Sequence, residues 1–358
     1  MKRTGYIFVT ATAVLIFIWL VPSAWRLVTA MPETSPFTLY SATIHDFTTM
    51  DVDAQGNYAF TDTHGRRYAG PGAERVQALF YCDDLASRGL LPDTIEGRRV
   101  TLDVIERGKF ILSLTPDEQD SPRPRAYLLM ESAPGRGKLA AAKEGFYGDG
   151  DGAHVIRLAD NTEDEAKSAA FTAAMRRAGF VFPIDKCSGN PDAKKDYDEG
   201  YMMTDAAGAL YHMKQQRGRC AVRSIDMPRT ADIERVQMVE NADRRIRAIV
   251  CSANHSVYVV DSLYGVHDTG VAYDAATEDM LVIGDICYMT IKVGTLTGER
   301  FYAVSSRDYR LRASMQRPYA TAKPLVERVM PLQLIMSVYN SRYIMPRLKW
   351  MWREDFIR

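Results

Sequence analysis

Behind Lys2 and Arg3 the chain runs YIFVTATAVLIFIWLVPSAW, residues 6–25, twenty positions without a charge. No other feature constrains the chain as strongly. Twenty helical residues reach roughly 30 Å, the thickness of a bilayer's hydrocarbon core. Tyr6, Trp19 and Trp25 stand near the ends, where amphipathic rings favour headgroups, and Ile7, Phe8 and Val14 to Ile18 fill the middle. Pro22 falls in the expected last turn. Lys2, Arg3 and the terminal amine outweigh Arg26, which places the N-terminus in the cytoplasm and the rest of the chain outside the inner membrane. The alternative is a cleaved signal peptide with Val28-Thr29-Ala30 at the cleavage site; the length of the apolar run and the intervening Arg26 favour a retained anchor. A second apolar stretch, Val329 to Asn340, is too short to span and contains Pro331 and Gln333, so it reads as a buried strand or short helix.

With 45 basic against 45 acidic residues the chain lacks the surplus of cations that nucleic-acid binding needs. Five cysteines, an odd number with no CxxC pair, argue against a disulfide framework and against the common zinc, haem and redox motifs. The 358 residues suffice for one large domain or two small ones. Residues 31–190 read as mixed α/β. PGAERVQALFYCDDLASRG places Val76, Leu79 and Phe80 on one helical face and stops at Gly89. RRVTLDVI and KFILSL look like strands, and DEQDSPRPR like a loop. A helix is expected from Thr162 to Ala178, with Thr162 and Glu165 as a capping box, Phe171, Met175 and Ala178 as its apolar stripe, and Gly179 as its stop.

From residue 191 to about 325 the period becomes two. RIRAIVCS, SVYVVDS, DMLVIGDI, CYMTIKVG and RFYAVSS are joined by tight connections, the pattern of an antiparallel meander or of propeller-like blades. The expected fold class is therefore α+β, mostly β, behind one transmembrane helix. Tyr58 to Tyr68 (YAFTDTHGRRY) and Tyr201 to Tyr211 (YMMTDAAGALY) share Tyr, Thr, Asp, Gly and Tyr at equal offsets, and Ser256 to Gly265 echoes them with one extra residue before the glycine. Each reads as a hairpin in which aspartate holds the turn, glycine supplies positive φ and the tyrosines pack cross-strand; a metal-ligand role for Asp62, Asp205 and Asp261 is the alternative.

Motifs of chemistry are thin. GRGK at Gly135 to Lys138 lacks the first glycine and the hydroxyl residue of a phosphate loop, and GDGDG at Gly148 to Gly152 lacks the further ligands of a calcium loop and reads as a flexible turn. Cys251 and His255 could form a thiol and base pair, yet a buried strand cysteine beside a polar turn is the simpler reading. Neither GxSxG nor HExxH occurs. No catalytic, metal or cofactor residues are assigned. The last segment, residues 326–358, is aromatic and basic: Arg342 to Arg358 carries a net charge of +3 interleaved with aromatics, and makes Arg347, Lys349, Trp350, Trp352 and Arg353 a candidate interaction surface. Packing of the same aromatics on the domain is the alternative.

Three segments, DDLASRGLLPDTIEG (Asp83 to Gly97), LLMESAPGRGKL (Leu128 to Leu139) and Lys167 to Lys214, resemble an uncharacterised bacterial family known as a domain of unknown function. The resemblance rests on Lys167-Ser168, on Gly179 to Pro183, on Gly189 to Pro191 and on Asp198 to Tyr201, and covers residues 35–220 best. Cys187, before the Gly-Asn-Pro turn, has no counterpart role. The resemblance implies a single-span membrane protein encoded near ABC-transporter components, with transporter subunits as partners and no established catalytic residues. The expected function is that of a non-catalytic accessory or interaction protein. A ligand-binding or sensor module, and a membrane-anchored enzyme working through Asp or His, are the alternatives.

Overall fold

The computed structural model describes residues 2–29, 36–52, 56–70, 72–116, 126–134, 138–295, 297–318, 332–339 and 343–350. They fall in two compact units, one of residues 1–37, 295–299 and 317–358, the other of 38–294 and 300–316.

In the first unit, α1 (Lys2–Thr29) carries an apolar stretch, Thr4–Pro22, long enough to cross a membrane. Its large apolar side chains from Tyr6 to Leu20 remain 40–74% exposed, apart from the half-buried Ile18. The helix continues past Pro22, which is therefore interior and not in the last turn. The same unit holds the antiparallel hairpin β24 (Leu332–Tyr339) and β25 (Tyr343–Trp350), and α1 lies beside β24. The second apolar stretch is thus a strand.

The second unit is built from antiparallel meanders. Sheet 1 comprises β1 (Thr38–Ser41), β2 (Asp46–Val52), β3 (Tyr58–Asp62) and β4 (Arg67–Ala69). A helical insertion follows: a 3₁₀ turn at Ala73–Gln77, α2 (Cys82–Ser87), the ladder β5 (Thr94–Ile95) and β6 (Arg98–Arg99), and α3 (Leu102–Gly108). Then come β7 (Phe110–Leu114) and sheet 2, from β8 (Tyr127–Leu129), β9 (Glu144–Gly148), β10 (Ala153–Arg157) and β11 (Thr162–Glu163), closed off by α4 (Glu165–Arg177). Sheet 3 is β12 (Ile184–Gly189), β13 (Tyr201–Asp205), β14 (Leu210–Gln216) and β15 (Arg219–Ile225). Sheet 4 is β16 (Ile233–Met238), β17 (Ile246–Ser252), β18 (Ser256–Asp261) and β19 (Val266–Ala272). Sheet 5 takes β20 (Asp279–Gly284), β21 (Tyr288–Gly294), β22 (Gly298–Ser305) and β23 (Leu311–Pro318), with β7 added beside β20.

Successive residues of a strand point to opposite faces. In β17, Ile249 and Cys251 enter a cluster shared with sheet 5, while Ala248 and Val250 enter one shared with sheet 3. Val257 and Val259 of β18 divide from Tyr258 and Val260 in the same way. Both faces are covered, so β17 and β18 bury successive residues instead of the alternation of period two expected from the sequence. Further clusters join sheet 2 and α4 to sheet 3, and sheet 1 and the helical insertion to sheet 5. The packing order is therefore 1, 5, 4, 3, 2, a propeller-like succession; among the described residues no hydrophobic cluster joins sheet 1 to sheet 2.

Several expectations change. RRVTLDVI forms β6 and then α3, because Thr101 caps a helix by accepting the Val104 N–H at 3.3 Å and only Ile105 and Gly108 of the helical residues are buried. The region before Gly89 divides into a 3₁₀ turn and α2; Val76 and Leu79 are buried but Phe80 is exposed. Gly89 does take positive φ, +65°. The α4 cap is Asp164, whose carboxylate accepts the Lys167 N–H at 3.0 Å, while Thr162 sits in β11. Phe171 and Met175 are buried as expected, and Gly179 has φ +91°. DEQDSPRPR and Gly135 to Gly137 lie outside the described residues.

Candidate functional site

The three related hairpins share one turn. Asp62 Oδ1 accepts the N–H groups of His64 and Arg66, Asp205 Oδ1 those of Ala207 and Ala209, and Asp261 Oδ1 those of Leu263 and Gly265. The positive φ falls three residues after each aspartate, on Gly65, Gly208 and, in the third copy, Tyr264. The other oxygen of Asp62 accepts the Tyr68 hydroxyl, and that of Asp261 meets His267, six residues on in both cases. These carboxylates hold turns. The tyrosines do not face each other across the strands: Tyr68 pairs with Phe60, and Tyr58 stacks on Tyr81. Asp149 likewise orders the turn before β10 by accepting the N–H groups of Asp151 and Gly152. Burial pushes the Cys251 thiol up to about 12, and His255 sits in an exposed turn at φ +64°, so the two make no reactive pair.

Asp198 to Tyr201 opens a buried ionic network between sheets 3 and 4. Glu199 takes Lys214 and Arg247 on its carboxylate. Glu240 accepts Lys195, which also meets Asp198, and accepts the Glu199 N–H at 2.7 Å. Asp198 accepts the Ser132 hydroxyl and the Gly200 N–H. Gly200 has φ +69°, and a Cβ there would lie 2.2 Å from the Met213 carbonyl, so no other residue fits. The Tyr201 hydroxyl donates to the Leu128 carbonyl. His212 Nε2 donates to the Glu199 carbonyl, which fixes the tautomer and leaves Nδ1 to accept the Tyr264 hydroxyl at 2.8 Å. Burial lowers His212 to about 4, so it is neutral. The Tyr264 ring also meets the Arg223 and Arg247 guanidinium groups, 4.2 and 4.5 Å from its centroid. Three carboxylates balance Lys195, Lys214 and Arg247. This network is satisfied and holds two sheets together.

A second group, Cys82, Asp83 and Glu106, has the ligand types of a metal site. The Lys109 ammonium, however, already stands 2.9 Å from the Cys82 sulfur and 2.6 Å from Glu106, so a cation occupies the position. Burial raises the Cys82 thiol, which donates to Glu106.

The open site is elsewhere. In a meander alternate connections share an end, so the β16–β17, β20–β21 and β22–β23 loops lie at one end of sheets 4 and 5, and the helical insertion closes on them. Together they form a cleft of about 430 Å³ lined by Arg98, Arg99, Asp103, Val104, Arg107, Asp243, Arg245, Ile286 and Ser306. The approach is close: a Cβ on Gly108 would stand 2.3 Å from Ile286 Cγ2. Arg245 is fixed by the Gly108 and Asp285 carbonyls at 2.8 and 2.6 Å and pairs with Asp243 at 3.1 Å. Arg98 donates to the Ile286 carbonyl at 2.6 Å. Asp285 itself lies behind the wall, its carboxylate accepting the Cys287 and Tyr288 N–H groups, and burial raises it to about 6. Sequence reading missed these arginines, which come from separate segments and share no spacing.

Of the five residues expected to form a surface, Arg347, Lys349 and Trp350 lie on β25, and Trp352 and Arg353 lie outside the described residues. Register places Arg347 opposite Ile335, Lys349 opposite Gln333 and Trp350 opposite Leu332.

These features define a mostly β protein of stacked antiparallel meanders with one N-terminal apolar helix, the helix fitting a signal anchor or a membrane anchor. The chain belongs to the domain of unknown function DUF4857, whose family model matches residues 37–304. No curated protein matches it. Among solved structures it is similar to PorZ, an essential bacterial surface component of the type-IX secretion system of Porphyromonas gingivalis, at 12% identity and a TM-score of 0.24 over 83% of this chain and 28% of that one. The Dos1 propeller matches at 12% identity and a TM-score of 0.31, over 50% and 46% of the two chains. Kuenenia stuttgartiensis hydrazine synthase matches at 9% identity and a TM-score of 0.28, over 69% and 56%. The chain thus spans less than two thirds of each.

Proposed function

We propose that this chain is a single-pass protein of the inner membrane, its N-terminus cytoplasmic and its β-rich body outside, that serves as a non-catalytic accessory of an ABC-type transport system. The observation that carries the reading is α1, whose apolar side chains stand uncovered. Leaving ten such side chains in water costs on the order of 15 kcal/mol, which a bilayer removes. The partner surface is the β24–β25 hairpin, which lies beside α1 and whose second strand carries Arg347, Lys349 and Trp350. Trp350 ends the same strand, and Trp352 and Arg353 follow it in the sequence. Charge and aromatic content there suit a membrane-proximal protein contact.

The test is affinity purification of the full-length protein from membranes in a mild detergent. Transporter membrane subunits are expected to co-purify, and Arg347→Glu with Lys349→Glu to reduce their recovery severalfold. Recovery of the protein alone from gently solubilised membranes overturns the accessory role.

A further inference from the structure

The arginine-lined cleft differs from the buried network in its charge balance. Four guanidinium groups face two carboxylates, and one of these, Asp243, is already engaged by Arg245 and Asn241. Among the described residues the guanidinium groups of Arg99 and Arg107 have no hydrogen-bond or ion-pair partner, although both line the cleft. Beside them Arg98 and Arg245 are pinned by the backbone carbonyls of Ile286, Gly108 and Asp285, and the Arg245 Nε is paired with Asp243, so both guanidinium groups are held in place in the cleft wall. Val104 and Ile286 give the cleft an apolar wall. A planar guanidinium presents paired donors that match the oxygens of a phosphate, and groups already held in place lose little freedom on binding. The volume suits a small molecule and not a bare ion.

We propose that this cleft is a binding site for a small phosphate monoester. Arg99 and Arg107 grasp the phosphate, Arg98 and Arg245 supply the positive field behind it, and Val104 and Ile286 pack on the esterified group. All of these residues belong to the second unit, so the site stands or falls separately from the anchoring and partner roles of the first. The same headgroup chemistry occurs in a soluble ester and in a phosphatidic lipid.

Full-length protein in a neutral detergent is titrated with glycerol 3-phosphate, and separately with a short-chain phosphatidic acid in the same micelles, at constant ionic strength and with calorimetric readout. The wild type binds at least one probe. Arg99→Gln with Arg107→Gln weakens binding at least tenfold while leaving the melting temperature without ligand unchanged, because both side chains are exposed. Arg99→Lys with Arg107→Lys keeps the charge, loses the paired donors and falls between. Preference for glycerol 3-phosphate assigns a soluble ester, and the reverse preference assigns a lipid headgroup. Binding of neither probe up to about 10 mM, or equal binding by the Gln variant, overturns the proposal.

Discussion

At the scale of single residues, His212 and Asp285 carry opposite pH responses. His212 stays neutral in the fold down to about 4, whereas an unfolded histidine takes its proton near 6.5, so His212 favours the fold above pH 6.5 and loses that contribution as pH falls toward 4. The difference amounts to about 3 kcal/mol. Asp285 is raised to about 6, so the folded form holds a proton that the unfolded chain releases near 3.8. Its contribution therefore grows on acidification through the same window. The two oppose each other in the wild type. His212→Gln, which can keep both hydrogen bonds, should make stability rise between pH 6.5 and 4 relative to wild type, and Asp285→Asn should make it fall, as read by urea unfolding at fixed pH values. Turn aspartates such as Asp62 and Asp205 were legible from sequence because one residue and its near neighbours make the whole motif. The ionic partners of Glu199 were not, since Lys214 and Arg247 come from strands of different sheets.

At the scale of elements, the start of α4 distinguishes two caps. Asp164→Ala removes the acceptor for the Lys167 N–H and should cost about 1 kcal/mol, while Thr162→Ala, at an exposed strand position, should cost less than about half of that. Thermal denaturation of the two variants side by side checks the order. The strands from RIRAIVCS to RFYAVSS could be read because sheets 4 and 5 bury both faces and are rich in apolar β-formers. Residues 98–108 could not, because the alternation of Val100, Leu102 and Val104 mimics a strand while Thr101 acts locally to start a helix. The cleft arginines were invisible for a related reason: meander loops meet in space at intervals that leave no periodic trace in the chain.

At the scale of the whole molecule, β7 pairs with β20 in register from Leu114 and Met280 to Phe110 and Gly284. Leu114 also belongs to the core shared by sheets 4 and 5. A fragment of residues 36–190 therefore leaves β7 without its partner strand, and sheets 1 and 2 without the sheets they pack on. It is expected to melt without a cooperative transition by circular dichroism, whereas residues 36–318 melt cooperatively. That pairing also sets an order in time. Synthesis runs at about 5–20 residues per second, so β7 emerges roughly ten to thirty seconds before the strand that covers its edge. For that interval a newly made chain exposes an unpaired apolar strand, which makes this the stage at which a holding chaperone would matter most.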